Sequence, residues 1–129
     1  MNPLDLLLVS LGGGVGAALR FWLDGVVKAR VSATALGRFP LGTLLINVTG
    51  SLVLGFVTGL GEAGALASPV VAVLGTGMMG GYTTFSTASV ETAQLFRSGK
   101  PGPAVLNGLG MLVVSVGAAA LGLYTGRNT

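Results

Sequence analysis

Hydroxyl and amide groups are the chemistry this chain offers, and they cluster. Residues 75–86 read GTGMMGGYTTFS, with Thr87 next. Thr83, Thr84, Ser86 and Thr87 crowd their hydroxyls around Phe85. Hydroxyl donors beside a helix N-terminus can stabilise an anion. An aromatic ring is positive at its edge, so Phe85 presented edge-on adds to that preference. Just upstream, Gly80 and Gly81 make the backbone permissive. Carbonyls freed there can coordinate a hard cation such as Na⁺, which takes oxygen ligands. A second set is Thr43, Asn47 and Ser51, spaced by four and so on one stripe of a helix. Asn47 either hydrogen-bonds a neighbouring helix or offers amide N–H donors to an anion. Asn107, Met111 and Ser115 form a third stripe with the same spacing.

Other chemistry is missing. The chain has no Cys and no His, which removes thiol nucleophiles, imidazole bases and the usual zinc or copper ligands. Its acids, Asp5, Asp24, Glu62 and Glu91, are too scattered to suggest a catalytic pair. The sequence does not read as an enzyme.

The elements that carry these stripes belong to a membrane. Of 129 residues, 51% are hydrophobic and 9% are charged, against about a quarter charged in a soluble domain. Four spans are expected, at about 4–27, 40–60, 69–97 and 104–124, in one all-α domain without a linker. No basic segment precedes the first run, so it reads as a spanning helix and not as a signal peptide. The third span exceeds the roughly 20 residues a crossing needs, and a break at 80–84 accounts for the excess. Broken helices survive at membrane depth where protein or a water-filled cavity satisfies the freed groups, and they mark ion sites. Gly12 and Gly16 make a small-residue face for a neighbouring helix, as do Gly108, Gly110, Gly117 and Gly122. Arg20 either reaches the headgroups or serves a structural or anion-attracting role.

A net charge of +3 in such a chain reports orientation and does not suggest nucleic acid. Lys28, Arg30 and Arg38 fall in the first loop (28–39), and Arg97 and Lys100 in the third (97–103). Only Arg127 falls on the side of the termini. That bias puts both termini outside.

Three motifs together resemble the Fluc (CrcB) family of fluoride channels. They are GGGVGAALRF at Gly12–Phe21, PLGTLLINVTGS at Pro40–Ser51, and GGYTTFST at Gly80–Thr87 followed by Glu91. Their order, spacing and the four-span layout match over essentially the whole chain. The resemblance implies an antiparallel dimer in the bacterial plasma (inner) membrane, its subunits oppositely oriented and its two pores separate. It implies passive export of fluoride, which enters as neutral HF, ionises in the cytoplasm and is trapped there. It also implies a structural Na⁺ at the dimer centre on the backbone carbonyls of Gly80 and Thr83. The pore residues carried over are Asn47, Phe85, Ser86, Thr87 and Ser115. Arg20, Thr43, Ser51, Thr84 and Glu91 match further polar positions of the motifs.

One departure stands out. The family motif ends TTFSTF, whereas this chain has TTFSTA, with Ala88 in place of the second Phe. Together with the charge bias, this leaves two assemblies open: a homodimer, or a heterodimer with an oppositely oriented paralogue in which this chain is the non-conducting or partly degenerate half. A small four-span, proton-coupled multidrug exporter is a further alternative. It requires a carboxylate in the middle of the first span, and there is none between Asp5 and Asp24.

Overall fold

The structure, a computed structural model, describes residues 2–31 and 40–129. Most of the expected first loop, with Arg38, lies outside the described residues, as does the Ser86 side chain. Five helices follow in order, and no strand occurs among the described residues. Helix α1 is Pro3–Val31 and α2 is Leu41–Glu62. Helix α3 covers 68–82 and joins an α-turn, Ser68–Val71, to a π-wound stretch, Ala72–Met79, and a last turn, Gly80–Tyr82. Helix α4 is Ser86–Arg97. Helix α5 is Pro101–Arg127, π-wound over Leu106–Gly110. The helices Pro3–Arg30, Leu41–Glu62 and Pro101–Arg127 are each long and apolar enough to cross a membrane.

Local chemistry sets most boundaries. Asn2 and Asp5 form a reciprocal cap at the start of α1: the Asp5 N–H donates to Asn2 Oδ1 (2.8 Å), and the Asn2 N–H donates to Asp5 Oδ2 (3.4 Å). Lys28 and Arg30, expected in a loop, instead occupy the last turns of α1, where cations suit the helix dipole. Lys28 also pairs with Asp24 one turn back, at 2.9 Å. Pro101 and Pro103 likewise belong to the first turn of α5 and not to a loop. A proline there has its φ preset and lacks only an N–H that the first turn leaves unused. Helices α2 and α4 both end on a glycine with positive φ, Gly64 (80°) and Gly99 (75°). Ala65 N–H donates back to Leu60 O and Lys100 N–H to Leu95 O, each at 2.9 Å, so both ends are Schellman caps.

Glycines bring the helices together in two pairs. Helix α1 lies on α3 so closely that a Cβ at Gly16 would sit 1.9 Å from Met78 O, and one at Gly81 would sit 2.0 Å from Gly13 O. Helix α2 lies on α5 in the same way, with Gly55 facing Ala119 O at 2.1 Å and Gly122 facing Leu52 O at 2.2 Å. Helix pairs in lipid gain no hydrophobic drive from association, so close backbone approach supplies the contact. The expected faces hold at Gly12, Gly16 and Gly122. Within the protomer, an added Cβ at Gly117 would meet nothing within 4 Å, and one at Gly110 would meet only Leu106 of its own helix. Gly108 faces the Thr92 side chain.

The interruption between α3 and α4 comes later than expected. Gly80, Gly81 and Tyr82 remain helical, and the chain turns extended at Thr83, with φ −81° and ψ 158°. Gly80 and Gly81 permit a break without forcing one; Gly81 is needed where α1 touches α3. What stops the helix is an outside partner for Thr84.

Candidate functional site

That partner is Asn47, on α2. The Thr84 N–H donates to Asn47 Oδ1, and Asn47 Nδ2 donates to Thr84 O, both at 2.8 Å. One side-chain amide thus takes both polar groups of one peptide residue, as a neighbouring strand would. The second Nδ2 hydrogen has Met111 Sδ on α5 as acceptor, at 3.1 Å. Asn47 is 9% exposed, and such a buried amide is stable only when paired. Thr84 then leads into α4: its Oγ1 accepts from the Thr87 N–H at 3.2 Å and so satisfies one donor of the first turn.

These diversions change the carbonyls upstream. In a continuous helix the Thr84 N–H would serve Gly80 O, and the Thr87 N–H would serve Thr83 O. Here those donors go to Asn47 Oδ1 and Thr84 Oγ1. The end of α3 therefore presents acceptor oxygens at Gly80 and Thr83. Gly81 O takes a different donor, Arg20 Nε from α1 at 3.3 Å. Arg20 is thus held within the fold on a helix-end carbonyl. The Thr83 hydroxyl turns back to Met79 O at 2.9 Å.

On the other side of the interruption lies a cavity of about 580 Å³ between α2, α4 and α5. Asn47, Ser51, Phe85, Ala88 and Ser115 are among its lining residues, and none of the lining residues is charged. The first turn of α4 points its partial positive charge toward the interruption. Ser115 Oγ and Asn107 Oδ1 are buried without a hydrogen-bond partner. Phe85 lies at the edge, 87% exposed in the protomer.

Not every expected residue shares this space. Thr87 and Glu91 are absent from the lining. The Thr43 hydroxyl, 2% exposed, donates to Glu91 Oε1 and ties α2 to α4. Sequence reasoning missed three partners: Met111 as an acceptor for Asn47, Thr92 as an acceptor for Asn107, and the Tyr82 hydroxyl 3.0 Å from Thr49 Oγ1. The four-residue stripe through Asn107, Met111 and Ser115 held the signal for the first, since it aligns a thioether between two polar groups.

A family model described as CrcB-like protein, Camphor Resistance (CrcB), matches residues 7–123. The chain belongs to the CrcB family. Its relatives match nearly end to end. A Leifsonia xyli protein named fluoride-specific ion channel FluC 1 is 49% identical over 126 residues, covering 98% of this chain and 89% of its own. A Cutibacterium acnes protein named fluoride-specific ion channel FluC 2 is 45% identical over 130 residues, covering 97% and 99%. A Thermus thermophilus protein named fluoride-specific ion channel FluC is 38% identical over 120 residues, covering 93% of each. Like its apolar helices, CrcB membership identifies a multi-pass protein of the bacterial cell membrane.

Proposed function

We propose that this chain is the subunit of a fluoride-selective channel through which cytoplasmic fluoride leaves the cell passively. It is not an enzyme. The observation that carries the reading is the Asn47–Thr84 clasp. It holds a helix start against an uncharged cavity, in a chain nearly half identical to a protein named for fluoride conduction. The anion path follows the cavity side, with Asn47, Phe85 and Ser115 along it, while Thr87 lies outside that lining. Fluoride holds its hydration shell more tightly than larger anions do, so it enters a mainly apolar lining only where hydroxyl donors replace that shell. Fluoride efflux from proteoliposomes, read by a selective electrode with chloride as control, tests this. Fluoride release without chloride release is expected, and equal leak of both would refute it.

Residues 68–82 and Ser86–Arg97 together make a fourth crossing, interrupted near mid-membrane. Two copies pack antiparallel, covering the exposed Phe85 ring. The carbonyls of Gly80 and Thr83 fit a structural Na⁺ at the subunit junction, since both have lost their helical donors and a hard cation takes such oxygens. When bound, Na⁺ supplies positive charge to the otherwise negative end of α3. The basic bias of the loops supports a second assembly, in which this chain has its termini outside and pairs with an oppositely oriented paralogue. Reporter fusions at the C-terminus should then show one orientation. Equal populations on both sides would make the assembly a homodimer of dual topology.

Ala88→Phe should raise the fluoride-to-chloride flux ratio, because a second ring edge narrows the lining. A loss of all flux would mean that the cavity has repacked around the alanine.

A further inference from the structure

The end of α3 is held by a bond that the cavity does not contain. Gly81 O is taken by Arg20 of α1, and Thr84 by Asn47 of α2. Between them, Tyr82 brings its hydroxyl oxygen to 3.0 Å from Thr49 Oγ1 of α2. Thr49 already uses its own hydrogen within α2, donating to Leu45 O at 2.6 Å. The Tyr82 O–H is therefore the donor and Thr49 Oγ1 the acceptor. Neither residue lines the cavity. Asn47 and Thr49 are two positions apart on one helix and so point about 200° apart. Asn47 is buried, and Thr49 is exposed in the protomer.

The Tyr82 ring reaches Thr49 by crossing Gly50. A Cβ at Gly50 would lie 2.9 Å from Tyr82 Cδ2 and would also run into Thr83 Cγ2. One turn of α2 thus takes three consecutive residues: Asn47 holds the Thr84 backbone, Gly50 makes room for Tyr82 and Thr83, and Thr49 holds the phenol. Asn47 alone would leave the last turn of α3 free to pivot about Thr84. A second hold on the same helix, two residues back and on the other side, removes that freedom. The bond lies about 12 Å from the start of α2, within a membrane-spanning helix. Hydrocarbon offers a phenol O–H no other acceptor, so the bond persists there.

We infer that Tyr82 is a positioning residue for cation binding at the end of α3, acting through its hydrogen bond to Thr49. This deepens the Na⁺ reading given above and rests on it. The two oxygens left without helical donors, Gly80 O and Thr83 O, flank Tyr82 in the chain. The Thr83 N–H and hydroxyl both turn back to Met79 O at 2.9 Å, so they stabilise the turn without fixing its direction relative to α2. Tyr82 fixes that direction. A hard cation needs its oxygens aimed at one point at set distances. Rotating the last turn of α3 therefore weakens cation binding although no coordinating atom is removed.

Thermal midpoints of the full chain in detergent test this, measured across a range of Na⁺ with N-methylglucamine keeping the ionic strength constant. A ligand that binds the folded state raises the midpoint in a way that yields its dissociation constant. Tyr82→Phe and Thr49→Val, which each remove one hydroxyl and keep the shape, should both raise the constant for Na⁺ at least fivefold. Thr49→Ser, which keeps the acceptor, should match the wild type. The double variant Tyr82→Phe/Thr49→Val should shift the constant no further than either single one, because both break the same bond. A merely structural bond would lower the midpoint equally at every Na⁺ concentration and leave the constant unchanged, and that result overturns the inference. So do shifts that add in the double variant, since the two hydroxyls would then act separately. A wild-type midpoint indifferent to Na⁺ would overturn the cation reading itself, and this inference with it.

Discussion

Asn47→Asp should lower fluoride efflux by about a hundredfold or more. The substitution keeps the acceptor for the Thr84 N–H and removes the donor to Thr84 O. A carboxylate oxygen then faces a carbonyl oxygen. A lost hydrogen bond that leaves a buried carbonyl unpaired costs about 1–3 kcal/mol. The new charge adds repulsion toward any anion, of the order of 4 kcal/mol at 4 Å for an effective dielectric constant near 20. The sum, about 5–7 kcal/mol, exceeds the ~2.7 kcal/mol that corresponds to a hundredfold. Efflux equal to wild type from a correctly folded protein would remove Asn47 from the path. Asn47→Leu separates the two effects. It introduces no charge but orphans both Thr84 groups, so it should act chiefly on stability, by about 2–4 kcal/mol.

The second large effect concerns backbone spacing. Gly81→Ala should destabilise the protein by about 3 kcal/mol or more, the upper end for overpacked sites. The added carbon would sit 2.0 Å from Gly13 O and 2.8 Å from Gly13 C. Both are backbone atoms, so no side chain can swing aside and α1 must move off α3. Gly16→Ala meets the same obstacle from the other helix, at Met78 O. Gly25→Ala is the control: nothing lies within 4 Å of the added carbon, and alanine favours a helix by up to about 1 kcal/mol. Thermal midpoints in detergent should fall sharply for Gly81→Ala and Gly16→Ala and hold or rise for Gly25→Ala. A Gly81→Ala protein that melts with the wild type would show that α1 and α3 do not touch in this way.

Much of this was legible in the sequence, for reasons that differ by residue. Hydropathy located the three long helices, since about twenty mainly apolar residues carry their own signal. The Gly12–Gly16 spacing announced a contact face, and four-residue stripes placed Thr43, Asn47 and Ser51 together. The start of the interruption was misjudged because adjacent glycines are permissive and do not dictate a break. The deciding group, Asn47, lies 37 residues away on another helix. Local propensity cannot register a partner that arrives only on folding. The same holds for Arg20 and Gly81 O, and for Thr43 and Glu91. Lys28, Arg30, Pro101 and Pro103 were misplaced for the opposite reason: polar and cyclic residues read as loop until the helix-end positions that favour them are known.

The π-wound stretch of α3 carries a consequence for insertions and deletions. Its wider turns take up more chain per revolution than an α-helix does, and they lie between Pro69 and the residues that reach Asn47. Removing one residue from 72–79 would shift everything after it by one helical step, about 100°. Thr84 would then face away from α2, the clasp could not close, and Phe85 would turn with it. Chain length between Pro69 and Thr84 therefore works as a phase setting.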